Sequence, residues 1–342
     1  MPIIAKAPGR IALAGYFSIL QKALGIGRIN LYSLPVDLFV EIGISARNDR
    51  DINVALVDYG KSNIGTWDRY INFSNPPSFA DEELYSPVFC GVETVFNYLE
   101  SKEIKFSGIN ISVKRQGIIG EPFGTQCLAA DHAVMAATIY SLIVHYNIQK
   151  DNIVEELLKE ADKFFSNDKL VDMDNKIYVQ SKVRKKKNTN SLIKNSVFFS
   201  TGLGSYRNVL IENLLEAFKI QKKVIDILEK GIILDKKFKG VIKSMSESEF
   251  KKFMQEYEKL LEELRNSLNI NLGYKLDREL NSLRKFAYVI PLELNYSAHY
   301  MAIPKKNSDL NLIKKMIEKN NWEIKELKEG NPGIEIIVLK ND

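Results

Sequence analysis

Three stretches of the chain combine residue types that can act on an anion. The first is Ala7-Pro8-Gly9-Arg10-Ile11-Ala12-Leu13-Ala14-Gly15-Tyr16-Phe17-Ser18-Ile19-Leu20. It sets a Pro-Gly turn signal and a cation at the entrance of an apolar run, and on local grounds it reads equally as an edge strand with a bulge. The second is Gly117-Ile118-Ile119-Gly120-Glu121-Pro122-Phe123-Gly124-Thr125-Gln126-Cys127, a glycine-punctuated loop that opens a long apolar helix. Strand, glycine-rich loop and helix N-terminus together make an anion site, because unpaired backbone N–H groups and the helix dipole aim at one spot. The GxxxxGK[ST] phosphate loop is absent, and Glu121 repels a triphosphate unless Mg2+ lies between them. The third is Ser200-Thr201-Gly202-Leu203-Gly204-Ser205-Tyr206-Arg207, which runs from a strand end into a helix. It offers a second cradle, although Gly202 and Gly204 read equally as turn residues. His132 and His299 read first as core and strand-end histidines, and only then as a base or a ligand contact.

The elements that position these stretches are set by periodicity. Ile11 and Leu13, then Val36, Leu38, Val40 and Ile42, then Ile109, Ile111 and Val113 place apolar side chains at period two, so the first third is β. A loop containing Gly25 and Gly27 is expected over 21–32, and a helix over 86–99. From Thr125 the period changes: Leu128, Ala129, Val134, Ala137, Ile139, Leu142 and Ile143 predict a helix apolar on nearly every side, which belongs in the middle of a domain. An amphipathic helix is expected over 153–165, strands over 177–183 and 197–200, and a helix over 209–228. Ser246 with Glu249 predicts a capping box. Phe250, Phe253, Met254, Tyr257, Leu260, Leu261 and Leu264 come after it as a core-facing stripe. A helix over 276–284, strands over 287–294 and 300–303, a helix over 310–319 and a strand over 334–339 complete an α+β chain. Its β-rich first half lies on a long central helix, and its helix-rich second half has its own sheet. The expected division is 1–165 and 166–342.

Composition narrows the classes. In 342 residues, 48 Lys and Arg against 43 Asp and Glu give a net charge of +5, too little to argue for nucleic acid. The dense basic run at Lys182, Arg184, Lys185, Lys186 and Lys187 has no interleaved aromatics and reads as a solvated loop. With 45% hydrophobic and 27% charged residues the chain is an ordinary globular one, neither disordered nor a disulfide scaffold. Cys90 and Cys127 fit a reducing compartment, and with three histidines they show no zinc spacing. No charged segment leads into a long apolar run at the N-terminus, and the most apolar stretch, 133–144, is too short for a bilayer. The expectation is a cytoplasmic monomer or homodimer with no membrane or nucleic-acid partner.

Taken in order, the three stretches resemble the GHMP superfamily of galactokinase, homoserine kinase, mevalonate kinase and phosphomevalonate kinase. Residues 7–20 fit its opening A-P-G-[KR]-x-x-L-x-G-x-x-x-[VI]-L, and Gly15-Tyr16-Phe17-Ser18-Ile19-Leu20 is nearer to phosphomevalonate kinases than to the G-E-H form. Residues 117–130 stand where the family has its P-x-x-x-G-L-G-S-S-A loop, with Thr125 and Gln126 in place of the serines. Ser200-Thr201-Gly202 stands at its D-T-G strand end, and Asp174-Asn175 keeps the last letters of S-G-x-D-N. The glycine-rich last turn is replaced by Leu294-Asn295-Tyr296-Ser297-Ala298. The resemblance implies the two-domain GHMP fold. It also implies ATP- and Mg2+-dependent phosphorylation of a small alcohol of the mevalonate route, the 5-hydroxyl of a phosphorylated mevalonate such as mevalonate 3-phosphate. It makes Asp174 the base or orienting group, with Arg10 and Lys6 stabilising transferred charge. Gly120, Glu121, Phe123, Gly124, Thr125 and Gln126 hold nucleotide, and Gln126 and Glu121 stand nearest Mg2+. Tyr16, Ser18, Thr201 and Gly202 border the substrate, whose own phosphate calls for the cations Lys22, Arg28 and Arg207. Two rivals use the same fold: an ATP-independent decarboxylase of mevalonate 3,5-bisphosphate, which lacks the K-Y-W-G-K signature here, and a non-catalytic binding protein.

Overall fold

The computed structural model describes residues 2–25, 32–75, 78–115, 128–149, 152–165, 195–203, 207–244, 246–292, 298–327 and 333–339. The chain divides into two compact units, each of mixed α and β structure. One comprises Met1–Gly9, Pro35–Arg184 and Gly330–Asp342; the other comprises Arg10–Leu34 and Lys185–Glu329.

A seven-stranded sheet lies mainly in the first unit. Its strands are β1 (Ile3–Ala14), β2 (Tyr32–Ala46), β3 (Asp51–Leu56), β4 (Lys61–Asp68), β5 (Tyr70–Phe73), β6 (Ile109–Arg115) and β11 (Glu335–Val338). Their order is β11-β1-β2-β6-β3-β4-β5. β3 and β6 run parallel, from Ile52 opposite Ile109 to Leu56 opposite Val113. β1 pairs antiparallel with β11, Ile3 opposite Val338. Period-two burial puts Ile42, Ile44, Ile52, Val54, Ile109 and Ile111 into one core with the helices α2 (Phe79–Ser101), α3 (Leu128–His145) and α4 (Ile153–Phe165).

As its composition requires, α3 is buried on most sides: Ala133 to Ala137, Ile139 and Leu142 have no exposed surface. Its two polar interior residues solve their own problem, Thr138 and Ser141 each donating to the carbonyl four residues back at 2.8 Å. A Cβ at Gly91 of α2 would stand 3.1 Å from Thr138 Cβ, so glycine sets how near α2 and α3 approach. Helix α2 begins earlier than the sequence pattern predicts and carries Pro87 inside it. The proline forfeits one backbone bond, and burial of Tyr85, Val88, Val92, Val95, Phe96 and Leu99 outweighs it.

The second unit holds a four-stranded antiparallel sheet in the order β10-β7-β9-β8. The strands are β7 (Val197–Ser200), β8 (Ala287–Pro291), β9 (His299–Pro304) and β10 (Glu323–Lys325). With it go α1 (Tyr16–Ala23), α5 (Arg207–Ala217), α6 (Lys222–Ser244), α7 (Glu247–Ser267), α8 (Tyr274–Arg284) and α9 (Leu310–Lys319). The single helix expected over 209–228 is two. A turn at 218–220 stops α5, and the Gln221 carbonyl takes the N–H of Val224 and Ile225 to start α6. The capping box on α7 forms as the pattern predicts: Ser246 Oγ accepts from Glu249 N, and Ser246 N donates to Glu249. Of its stripe, Phe250, Phe253, Met254, Tyr257, Leu261 and Leu264 are buried, and Leu260 is half-buried. Helix α1 has no counterpart in the sequence pattern. The expected strand over 177–183 and the basic run at 182–187 lie outside the described residues.

Candidate active site

The first chemical stretch resolves into strand, glycine and helix. β1 ends at Ala14, Gly15 turns the chain with φ 115°, and α1 starts at Tyr16. That φ suits glycine, since a side chain there would clash with the backbone. Glycine as N-cap has no side chain to offer the free N–H groups of the first turn. They are taken up instead by residues more than two hundred positions away. Asp235 of α6 accepts from Gly15 N at 2.9 Å through Oδ1 and from Ser18 N at 2.8 Å through Oδ2. Tyr257 of α7 accepts from Gly15 N at 3.0 Å and Tyr16 N at 2.9 Å, and donates its own proton to Asp235 Oδ1 at 2.9 Å. Ser18 donates its hydroxyl to the Gly15 carbonyl at 2.8 Å.

This cluster is sealed. Tyr16, Phe17, Ser18, Asp235 and Tyr257 have no exposed surface. Phe17 meets Tyr257 edge to face at 5.4 Å, and Gly231 of α6 leaves room for the Phe17 ring. Burial pushes the Asp235 carboxyl up to about 6, against the pull of the N–H groups it accepts. Burial, and the carboxylate beside it, push the Tyr257 phenol well above its ordinary value. Near neutral pH the first turn of α1 therefore holds an internal anion, the charge that a helix N-terminus favours. Sequence reading passes over both partners, because Asp235 is one acid in a lysine-rich helix and Tyr257 falls on an apolar stripe. A buried-acid signal was present in Gly231-Ile232-Ile233-Leu234-Asp235, but nothing local says what it would bind.

Lys6, another of the expected site residues, is on β1 in the first unit. It lies 3.6 Å from Glu41 Oε2 and 5.0 Å over the Phe39 ring. Arg10 is on β1, Lys22 on α1 and Arg207 opens α5; their side chains are outside the described part of the structure. Tyr16 and Ser18 are in the sealed cluster, which directs the Ser18 hydroxyl to backbone. Thr201 and Gly202 form a tight turn at the end of β7. Leu203 N donates to Thr201 Oγ1 at 3.2 Å, Gly202 N to Ser200 Oγ at 3.1 Å, and Gly202 has φ 74°. His299 pairs with Ser200 across the sheet; burial and then Lys325 push its imidazole down to about 4, so it is neutral at pH 7. Gly120, Glu121, Phe123, Gly124, Thr125, Gln126, Asp174 and Arg28 lie outside the described residues. Among the described residues, no group of three His, Cys, Asp or Glu could hold a metal ion. No helix among them is long and apolar enough to cross a membrane.

No family model matches the chain, and no curated protein matches it. Solved structures do. The Lin0012 protein from Listeria innocua is 12% identical with a TM-score of 0.73, over 98% of this chain and 99% of that one. The Methanococcus jannaschii mevalonate kinase is 18% identical with a TM-score of 0.65, over 96% and 98%. The Streptococcus pneumoniae phosphomevalonate kinase in complex with phosphomevalonate and AMPPNP is 12% identical with a TM-score of 0.65, over 95% and 99%. The fold is the one these structures share, along essentially the whole chain, and no single one of them stands out. At these identities the likeness establishes fold and leaves activity to the site.

Proposed function

We propose that the chain is a small-molecule kinase that transfers a phosphoryl group from ATP to the alcohol of a phosphorylated mevalonate, at the 5-hydroxyl of a compound such as mevalonate 3-phosphate. One observation carries this reading. The stretch from Ala7 to Leu20 lies on β1 and α1, the first strand and helix of a fold like those of mevalonate and phosphomevalonate kinases.

In this reading Asp174 orients the acceptor hydroxyl and takes its proton, and Arg10, with Lys6 behind it on the same strand, offsets charge on the phosphoryl group in flight. Backbone N–H groups from Gly120 to Gln126 hold the nucleotide phosphates. Lys22, Arg28 and Arg207 take the phosphate that the substrate already bears, and Thr201 and Gly202 border the substrate. Mg2+ supplies neutralising charge to nucleotide phosphates in such reactions. Its expected neighbours, Glu121 and Gln126, lie outside the described residues.

The test is a phosphoryl-transfer assay with ATP and Mg2+ against mevalonate, its 3- and 5-phosphates, homoserine and galactose. Turnover of one phosphomevalonate is expected, with loss of about a hundredfold or more in Asp174→Asn. No turnover of any alcohol, together with no ATP binding at millimolar nucleotide, would overturn the reading. CO2 release from mevalonate 3,5-bisphosphate without ATP would replace it with the decarboxylase.

A further inference from the structure

An alcohol kinase has to hold its cationic strand in register with the substrate to a fraction of an ångström. In this chain that strand is β1, and from Arg10 the backbone makes a short run to Gly15 and into α1. α1 is only eight residues long and its N-cap is a glycine, so it cannot anchor itself. Three of the backbone donors at its start are instead divided between two side chains of the same unit. Gly15 N is shared by Asp235 and Tyr257, Tyr16 N goes to Tyr257 and Ser18 N to Asp235. The Tyr257–Asp235 bond locks the pair together. Every oxygen of the pair has a partner, and apart from the pair itself those partners belong to the stretch that resembles the family's first motif. Nothing in the packing of α6 against α7 requires a carboxylate and a phenol there, since apolar side chains would serve that purpose at lower desolvation cost.

We infer that Asp235 and Tyr257 are positioning residues, a buried clamp on the backbone of Gly15, Tyr16 and Ser18 that fixes the path of the chain from Arg10 into α1 for phosphoryl transfer. This rests on the kinase reading above.

The experiment compares the full chain with Tyr257→Phe and Asp235→Asn by residue-resolved amide hydrogen exchange and by steady-state kinetics on the phosphomevalonate that the wild type turns over. Tyr257→Phe removes the Tyr257 oxygen that accepts from Tyr16 N and keeps Asp235 at Ser18 N, so exchange should quicken at Tyr16 and stay unchanged at Ser18. Asp235→Asn should quicken Ser18. In Tyr257→Phe, kcat should fall about tenfold to a hundredfold while KM for ATP stays within about twofold. A kcat that falls only as far as the folded fraction falls, or stays at the wild-type value, overturns the proposal and leaves the kinase reading standing. Wild type inactive on every alcohol overturns that reading, and amide exchange unaltered in both variants overturns the clamp whatever the activity. If Asp235→Asn fails to fold, Tyr257→Phe, which removes one oxygen and keeps the ring, decides alone.

Discussion

At the scale of single residues, the region around α1 is set by what is missing as much as by what is present. Gly231 has no side chain because Phe17 fills its place: an added Cβ would stand 2.1 Å from the Phe17 ring, at its root rather than at a flexible tip. Alanine is worth about 1 kcal/mol over glycine inside a helix. Overpacking a sealed core costs about 1–3 kcal/mol. The clash at Phe17 leaves no room to relax, so Gly231→Ala should lower stability in urea unfolding despite its better propensity. A stabilised variant would show that Phe17 has somewhere to go. The same neighbourhood marks how far sequence reaches. Gly15 and Ser18 are visible in the motif, but Tyr257 looks like one more apolar stripe residue. Its hydroxyl becomes informative only when α1 is brought to it, because a stripe pattern records which face is buried and not what a polar tip meets there.

At the scale of elements, legibility tracks the range of the forces that make each one. α7 is written locally: Ser246 and Glu249 sit three apart, the apolar stripe keeps helical period, and the capping box forms. Ser246→Ala should therefore cost about 1 kcal/mol, read from the unfolding midpoint, with the fold unaltered. No measurable cost would mean that the first turn of α7 is held by packing alone. α4 and α9 are likewise predicted to the residue by their amphipathic periods. α1 is not, because its cap comes from Asp235 and Tyr257, far along the chain. The break between α5 and α6 is missed for the related reason that an apolar period continues across a turn in which Ile220 is exposed. Of the candidate site, the strand and the Thr201-Gly202 turn were legible. The clamp at the start of α1 was not.

At the scale of the whole molecule, the buried Asp235 and the half-buried His299 titrate in opposite senses over one pH range. Asp235 rises from 3.8 unfolded to about 6 folded, so the native state binds its proton more tightly. Its contribution is full below about pH 4 and is lost as the pH climbs to about 6, a change on the order of 3 kcal/mol. His299 falls from 6.5 to about 4, so its contribution is present above pH 6.5 and is lost on acidification toward pH 4. The two offset each other. Asp235→Asn should therefore lose stability relative to wild type as the pH is lowered from 6.5 to 4, and His299→Gln should gain relative to wild type over the same range. Parallel stability curves for all three proteins in urea titrations would refute both assignments.

The pairing of β1 with β11 bears on how the chain is made. Ile3 to Lys6 lie opposite Val338 to Glu335, and Leu339 N reaches back to Pro2 O at 3.0 Å. A ribosome delivers β1 roughly three hundred residues before β11. At typical synthesis rates the outer edge of β1 stays open for roughly tens of seconds. An open strand edge is a template for unwanted pairing. The first unit's sheet is completed only after the second unit has been made, so the nascent edge of β1 needs cover throughout that interval.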